Sequence, residues 1–69
     1  MIEVFKTDVQ EKDQATSLLI LLQKRFPESR INFDLDDCDR ILRVEGDDFK
    51  NEELIFILER HGFFCVVLE

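Results

Sequence analysis

Apolar residues recur at helical spacing in a first long stretch of the chain, residues 9–26. Since an α-helix has about 3.6 residues per turn, residues three and four apart share one face. The positions that form one inward stripe are Ala15, Leu18, Leu19, Leu22 and Phe26. Thr7 or Asp8 can cap the start of this helix, and Pro27 ends it. The pattern therefore predicts a first amphipathic helix.

A second helical stripe lies in the C-terminal half of the chain. It consists of Leu54, Ile57, Leu58 and His61. Asp47 and Asp48 offer hydrogen-bond acceptors for its start, and Gly62 suits the left-handed position that ends many helices. We expect this helix to end just before residue 63.

Four segments have strand patterns. They are residues 2–5, 31–35, 40–45 and 63–68. The second and third alternate apolar and polar residues, and the short polar turn between them predicts a hairpin. In the first strand, either Ile2 and Val4 or Phe5 can point inward.

The order of the predicted elements is βαββαβ. Two βαβ halves with right-handed crossovers share one sheet in the ferredoxin-like α+β sandwich, in which four antiparallel strands carry both helices on one face. At 69 residues the chain has room for one domain, residues 1–69. Because this fold hosts many unrelated functions, the function has to be argued from a site.

The net charge of the chain restricts the classes of partner that it can bind. It has 16 acidic and nine basic residues, a formal net charge of −7 at pH 7. Such a surface repels nucleic acid and anionic membranes. The longest apolar runs, residues 18–22 and 63–68, are far shorter than the roughly 20 residues of a membrane-spanning helix. The start of the chain has no signal-peptide pattern. We expect a soluble cytoplasmic protein with neither nucleic-acid nor membrane partners.

The two cysteines do not predict catalysis. Cys38 and Cys65 are 27 residues apart and belong to no Cys-x-x-Cys pair, so we interpret both as reduced thiols. Cys38 follows acidic residues and Cys65 lies in an apolar strand, and neither setting favours a reactive thiolate. We predict no enzymatic activity, no catalytic residue and no cofactor.

Short motifs recur in a recognisable order along residues 9–67. They are INFDL at 31–35, ILRVEG at 41–46, NEELI at 51–55 and HGF at 61–63. In this order and at similar spacing they resemble the Val-x-Val-Asp-Leu strand, the Val-x-Val hairpin partner, the Glu-Glu-Leu-Ile helix start and the Gly-Tyr helix exit of the heavy-metal-associated domain. That domain is the module of copper chaperones and of the N-terminal arms of metal-transporting ATPases. The resemblance implies a ferredoxin-like fold.

The chain departs from this family at the metal-binding loop. The family places Met-x-Cys-x-x-Cys between the first strand and the first helix, where two thiolates bind a soft ion such as Cu(I). Residues 9–15 here read VQEKDQA, so the two ligand positions hold Glu11 and Gln14, or Lys12 and Ala15. Neither pair offers a thiolate, and Lys12 would repel a cation. We therefore predict no metal site of the family type.

Apolar residues remain after the two inward stripes are assigned. Phe56 lies nearly opposite Leu54 and Leu58 on the second helix, and the last strand is apolar on both faces. One face carries Phe64, Val66 and Leu68, and the other carries Phe63, Cys65 and Val67. A contiguous exposed apolar patch usually marks an interface. We predict an interaction surface that comprises Phe56, Phe63, Cys65 and Val67.

Two functions follow as hypotheses. The preferred one is a small non-catalytic interaction module that self-associates or docks a protein partner. The alternative is a regulatory or chaperone domain that binds a metal or a small ligand through non-standard residues, in the loop at 9–15 or through His61 and Cys65. The spacing of these two residues suits zinc on one helix, but Gly62 separates them.

Overall fold

The computed structural model describes residues 1–36, 38–47 and 49–68. Its elements are β1 (Ile2–Thr7), α1 (Lys12–Arg25), β2 (Arg30–Asp34), β3 (Ile41–Glu45), α2 (Asn51–Arg60) and β4 (Cys65–Val67). Within the described residues the four strands form one antiparallel sheet in the order β2-β3-β1-β4. This is the ferredoxin-like α+β arrangement, so the fold predicted from the sequence is confirmed.

The strand register decides which residues face the helices. Phe5 lies opposite Leu42 of β3 and Val67 of β4, so the three side chains share one face of the sheet. Phe5 and Leu42 are fully buried, whereas Ile2 is exposed. The alternative for β1 that the sequence left open is therefore resolved in favour of Phe5 pointing inward. We call the opposite face of the sheet, which carries Ile2 and Val4, the open face.

One core cluster joins the sheet to both helices. Its buried members are Phe5, Leu22, Phe26, Ile31, Leu42, Val44, Phe49, Leu54, Leu58 and Cys65. Because α1 and α2 both contribute to this cluster, both helices cover the same face of the sheet. Phe49 lies before α2 and outside its periodic pattern, which is why helical spacing did not identify it as a core residue.

Helix α1 begins three residues later than the predicted start at residue 9. Its N-cap is Glu11, whose N–H donates to Oε1 of Gln14 at 3.1 Å. The predicted caps are wrong because their side chains have other partners. The carboxylate of Asp8 accepts the N–H of Phe64 at 2.8 Å, and the hydroxyl of Thr7 donates to a carbonyl of the β2–β3 connection.

Helix α2 begins where the NEELI motif at residues 51–55 predicts its start, but the predicted cap Asp47 is wrong. Its first residue is Asn51 and its N-cap is Lys50, which has an extended backbone. Asp47 lies four residues before the helix and does not cap it. The other predicted cap, Asp48, lies outside the described residues.

The exit of α2 confirms the predicted role of Gly62. Its φ of 88° lies in the left-handed region. The N–H of Phe63 donates to the carbonyl of Leu58 at 2.9 Å, and that of Gly62 to Glu59 at 3.0 Å. This pair of bonds is the Schellman motif. His61 is the C-cap and is exposed, so its predicted place in the inward stripe is wrong because helical periodicity has ended there.

Candidate interaction surface

The structure separates the four residues that the sequence assigned to an interaction surface. Phe56 is 58% exposed on the outer side of α2. Phe63 and Val67 are half-buried against the core cluster, and Cys65 is 1% exposed. Including Cys65 in an exposed surface was wrong, since the register places it opposite the buried Thr7, on the helix side of the sheet.

The exposed apolar side chains of the last strand lie on its other face. Phe64 is 49% exposed, Val66 40% and Leu68 39%. The sequence pattern already grouped these three side chains together. It could not tell which group faces solvent, because that depends on whether Phe5 or Val4 of β1 points inward.

The adjoining part of β1 extends this apolar area. The N–H of Leu68 donates to the carbonyl of Val4 at 2.8 Å, which places the two residues side by side. Val4 is half-buried and Ile2, two residues before it on the same face, is 58% exposed. We call the group Ile2, Val4, Phe64, Val66 and Leu68 the β4 stripe.

The exposed side chains on the rest of the open face are polar, and its apolar residue Ile41 is buried. β2 and β3 direct to this face the exposed residues Arg30, Asn32, Asp34, Arg43 and Glu45. Lys6 of β1 lies opposite Val66 and forms a partly exposed ion pair with Asp39 at 3.7 Å. The exposed apolar area of the open face is therefore concentrated at the β4 edge of the sheet.

The backbone of β4 also has an outward side. In an antiparallel pair, alternate residues direct both their N–H and C=O groups towards the partner strand. The bond from Leu68 to Val4 shows that Phe64, Val66 and Leu68 direct theirs towards β1. Cys65 and Val67 consequently direct theirs away from β1. Among the described strands none lies beyond β4, so these groups form an open hydrogen-bonding edge.

A groove of about 370 Å³ runs between the outer sides of the two helices. Its apolar lining includes Leu21, Phe56 and Ile57. Its charged lining residues are Arg25, Glu53 and Arg60. Arg25 and Glu53 form an ion pair, and the guanidinium of Arg60 lies 5.8 Å from the ring of Phe56. This groove lies on the face of the molecule opposite the β4 stripe.

The two residues considered for a non-standard metal site differ in accessibility. His61 is exposed and Cys65 is buried. Burial, with a smaller contribution from the negative charge of Glu59, raises the pKa of the Cys65 thiol to about 12. Since the thiolate is the form that ligates metals, this environment disfavours ligation by Cys65 at neutral pH.

In the β1–α1 connection, backbone N–H groups are engaged in capping the start of helix α1. Oε1 of Gln14 accepts the N–H groups of Gln10 at 3.2 Å and Glu11 at 3.1 Å. Lys12 is exposed at the first position of the helix. Across residues 1–36, 38–47 and 49–68, no group of three or more His, Cys, Asp or Glu side chains is arranged to hold a metal ion.

No family model matches this chain, and neither a curated protein nor a solved structure matches it. The resemblance to the heavy-metal-associated domain therefore stays a prediction. Within the described part of the chain, neither helix is long and apolar enough to cross a membrane.

Proposed function

We propose that this chain is a small non-catalytic interaction module of the heavy-metal-associated type without the family's thiolate pair. Its partner is a protein, either a second copy of the chain or another polypeptide. The observation that carries the proposal is the β4 stripe, in which Phe64, Val66 and Leu68 remain exposed beside an open backbone edge. Apolar patches at a sheet edge are a recurrent means of protein association.

The small size of the domain also supports association. A domain of 69 residues buries only roughly 60% of the surface of its unfolded chain, so association is a natural source of additional stability. The resemblance to the metal-binding family supports a scaffold of this shape, while residues 9–15 contain no cysteine. The proposed module therefore keeps the scaffold and works through its surface instead of a metal loop.

Self-association is the form of the proposal that can be tested directly. We would record native mass spectra and sedimentation velocity of the reduced chain over a concentration series, with and without Cu(I) and Zn(II). The expected result is a metal-free dimer or higher oligomer whose fraction rises with concentration. A chain that stays monomeric over the whole series would contradict self-association.

A second candidate is a regulatory domain that binds a small ligand, and the groove between the helices favours it. Leu21, Phe56 and Ile57 supply an apolar lining, and Arg60 supplies a positive charge at the rim. An aliphatic carboxylate such as octanoate matches this chemistry. Ligand binding to the native state raises the melting temperature. A rise with excess octanoate that Arg60→Ala abolishes would support this candidate, and an unchanged melting temperature would contradict it.

A further inference from the structure

We propose that two copies of this chain pair antiparallel through their β4 strands, about a two-fold axis at Val66, and so join their sheets into one. The inference rests on the proposed function and names its partner and its geometry. It is drawn from the direction of the backbone groups at the β4 edge and from the side chains beside them.

The backbone of β4 determines the register of this pairing. Cys65 and Val67 are the residues of β4 whose N–H and C=O groups point outward. A two-fold axis at Val66 places Cys65 of one copy opposite Val67 of the other. Each such pair exchanges two hydrogen bonds, so the two symmetry-related pairs form four. The same patch serves both partners, as the isologous interface of a symmetric dimer requires.

This register also matches the side chains of the open face. Val66 lies opposite Val66 of the second copy, and Phe64 lies opposite Leu68. These residues are 40%, 49% and 39% exposed in the single chain. Pairs of aromatic and aliphatic side chains directly opposite each other stabilise antiparallel strands. Residues 63–68 contain no charged side chain, so the pairing brings no like charges together within this segment.

Charge favours this edge over the rest of the surface as the contact between copies. With a net charge of −7, two copies repel each other in most orientations. The β4 stripe has no charged side chain, whereas β2 and β3 carry two basic and two acidic residues on the open face: Arg30, Asp34, Arg43 and Glu45. Edge strands that avoid pairing are commonly very short or carry charged residues, proline or a bulge, and β4 is short, with three residues. Residues 63–68 have neither a charge nor a proline.

The available area predicts a weak dimer. Taking roughly 200 Å² for a large apolar residue, the exposed parts of Phe64, Val66 and Leu68 offer about 250 Å² per chain, or about 500 Å² for the pair. Interfaces below about 1,200 Å² belong to transient complexes. The dimer is therefore expected to dissociate on dilution, and its cohesion depends on the backbone bonds as well as on the apolar contacts.

The register can be tested by a disulfide across the two-fold axis. Opposite residues in a non-hydrogen-bonded antiparallel pair have Cα atoms about 4.5 Å apart, within the range that a disulfide spans. Val66→Cys, placed in a Cys38→Ser background, is expected to form a covalent dimer under mild oxidation. Phe56→Cys in the same background is the matched control, because Phe56 is 58% exposed but lies on the helix layer. This control should stay largely monomeric on a non-reducing gel.

A charge at the same position tests the pairing without oxidation. Val66→Lys should raise the dissociation constant of the dimer at least about tenfold, since it places two like charges opposite each other. Phe56→Lys should leave the constant unchanged. Urea unfolding of each variant checks that it folds. If Val66→Lys is unfolded, Val66→Thr replaces it, because threonine keeps the strand propensity and removes apolar surface.

The outcomes separate this inference from the function on which it rests. A wild-type dimer that Val66→Lys leaves intact, with no Val66→Cys crosslink, would overturn the β4 pairing while self-association stands. Loss of dimer in Phe56→Lys but not in Val66→Lys would likewise overturn it and assign the contact to the helix layer. A wild-type chain that is monomeric throughout would overturn the β4 pairing and the self-associating form of the proposed function, and would leave docking of another polypeptide as its remaining form.

Discussion

The two edges of the sheet offer the same backbone groups but different side chains. At the β4 edge, Cys65 and Val67 direct their N–H and C=O groups outward. At the β2 edge the direction follows from β3. The N–H of Gly46 donates to the carbonyl of Met1, so the even-numbered residues of β3 direct their backbone groups towards β1 and the odd-numbered ones towards β2. The β2 residues that are not opposite these odd residues, Ile31 and Phe33, direct their backbone groups outward.

The difference lies on the open face beside each edge. β2 carries Arg30, Asn32 and Asp34 there, whereas Phe64, Val66 and Leu68 occupy the equivalent positions along β4. Charged side chains beside an edge strand are a common protection against pairing with another chain. The comparison shows that outward backbone groups alone do not make an interface, and that the flanking side chains decide which edge is available.

The largest expected effect compares how much each edge strand contributes to stability through its buried side chain. Ile31 is a buried core residue of β2, and Ile31→Ala should lower the free energy of unfolding by about 3 kcal/mol. Cys65 is the buried residue of β4, and Cys65→Ala removes one atom and should cost only about 1 kcal/mol. Urea denaturation measures both values. Asn32→Ala, at an exposed position of β2, is the control and should change the stability little. Equal losses for the two core variants would contradict the larger contribution of β2 to the buried apolar core.

Measuring the free energy of unfolding as a function of pH tests whether the Cys65 thiol of β4 is buried. Burial raises the pKa of the Cys65 thiol to about 12, above the value near 9.0 for an unperturbed thiol. Between these values the unfolded chain loses the proton and the folded chain keeps it. The contribution of this thiol to the free energy of unfolding is therefore fully present below about pH 9. It decreases as the pH rises towards 12, by up to about 1.4 kcal/mol per pH unit.

The variant Cys65→Ala isolates this thiol from the other groups that titrate at high pH. Its free energy of unfolding should decline less steeply than that of the wild type above pH 9. Asn32→Ala, which replaces an exposed and non-titrating side chain of β2, is the control and should keep the wild-type slope. Equal slopes for Cys65→Ala and the wild type would show that Cys65 is not buried as the structure has it.

The smallest effect compares the two edges in one sample. Amide hydrogen exchange at Cys65 and Val67 should slow about fivefold when four-fifths of the chains are paired, because only unpaired chains exchange there. Exchange at Ile31 and Phe33 should not depend on protein concentration. Concentration-dependent protection at β2 instead would reverse the comparison and assign the contact to the charged edge.

Much of the fold could be predicted because its determinants are local. The alternation of residues 31–35 and 40–45 predicts the hairpin, and Gly62 predicts the end of α2. The helix caps could not be predicted as well. Asp8 and Thr7 are good caps in isolation, but tertiary contacts occupy both side chains and Glu11 becomes the cap instead.

The candidate site shows the same division between local pattern and tertiary structure. By itself, the sequence determined that the last strand has two apolar faces, that residues 9–15 contain no thiol, and that the chain is strongly acidic. Only the tertiary structure decided which face of β4 meets the core, and therefore that Cys65 is buried while Val66 is exposed. The physical reason is that alternation within a strand has a period of two and is symmetric. Only the pairing with β1, whose Phe5 is buried in the core, determines which set of β4 side chains points towards the core.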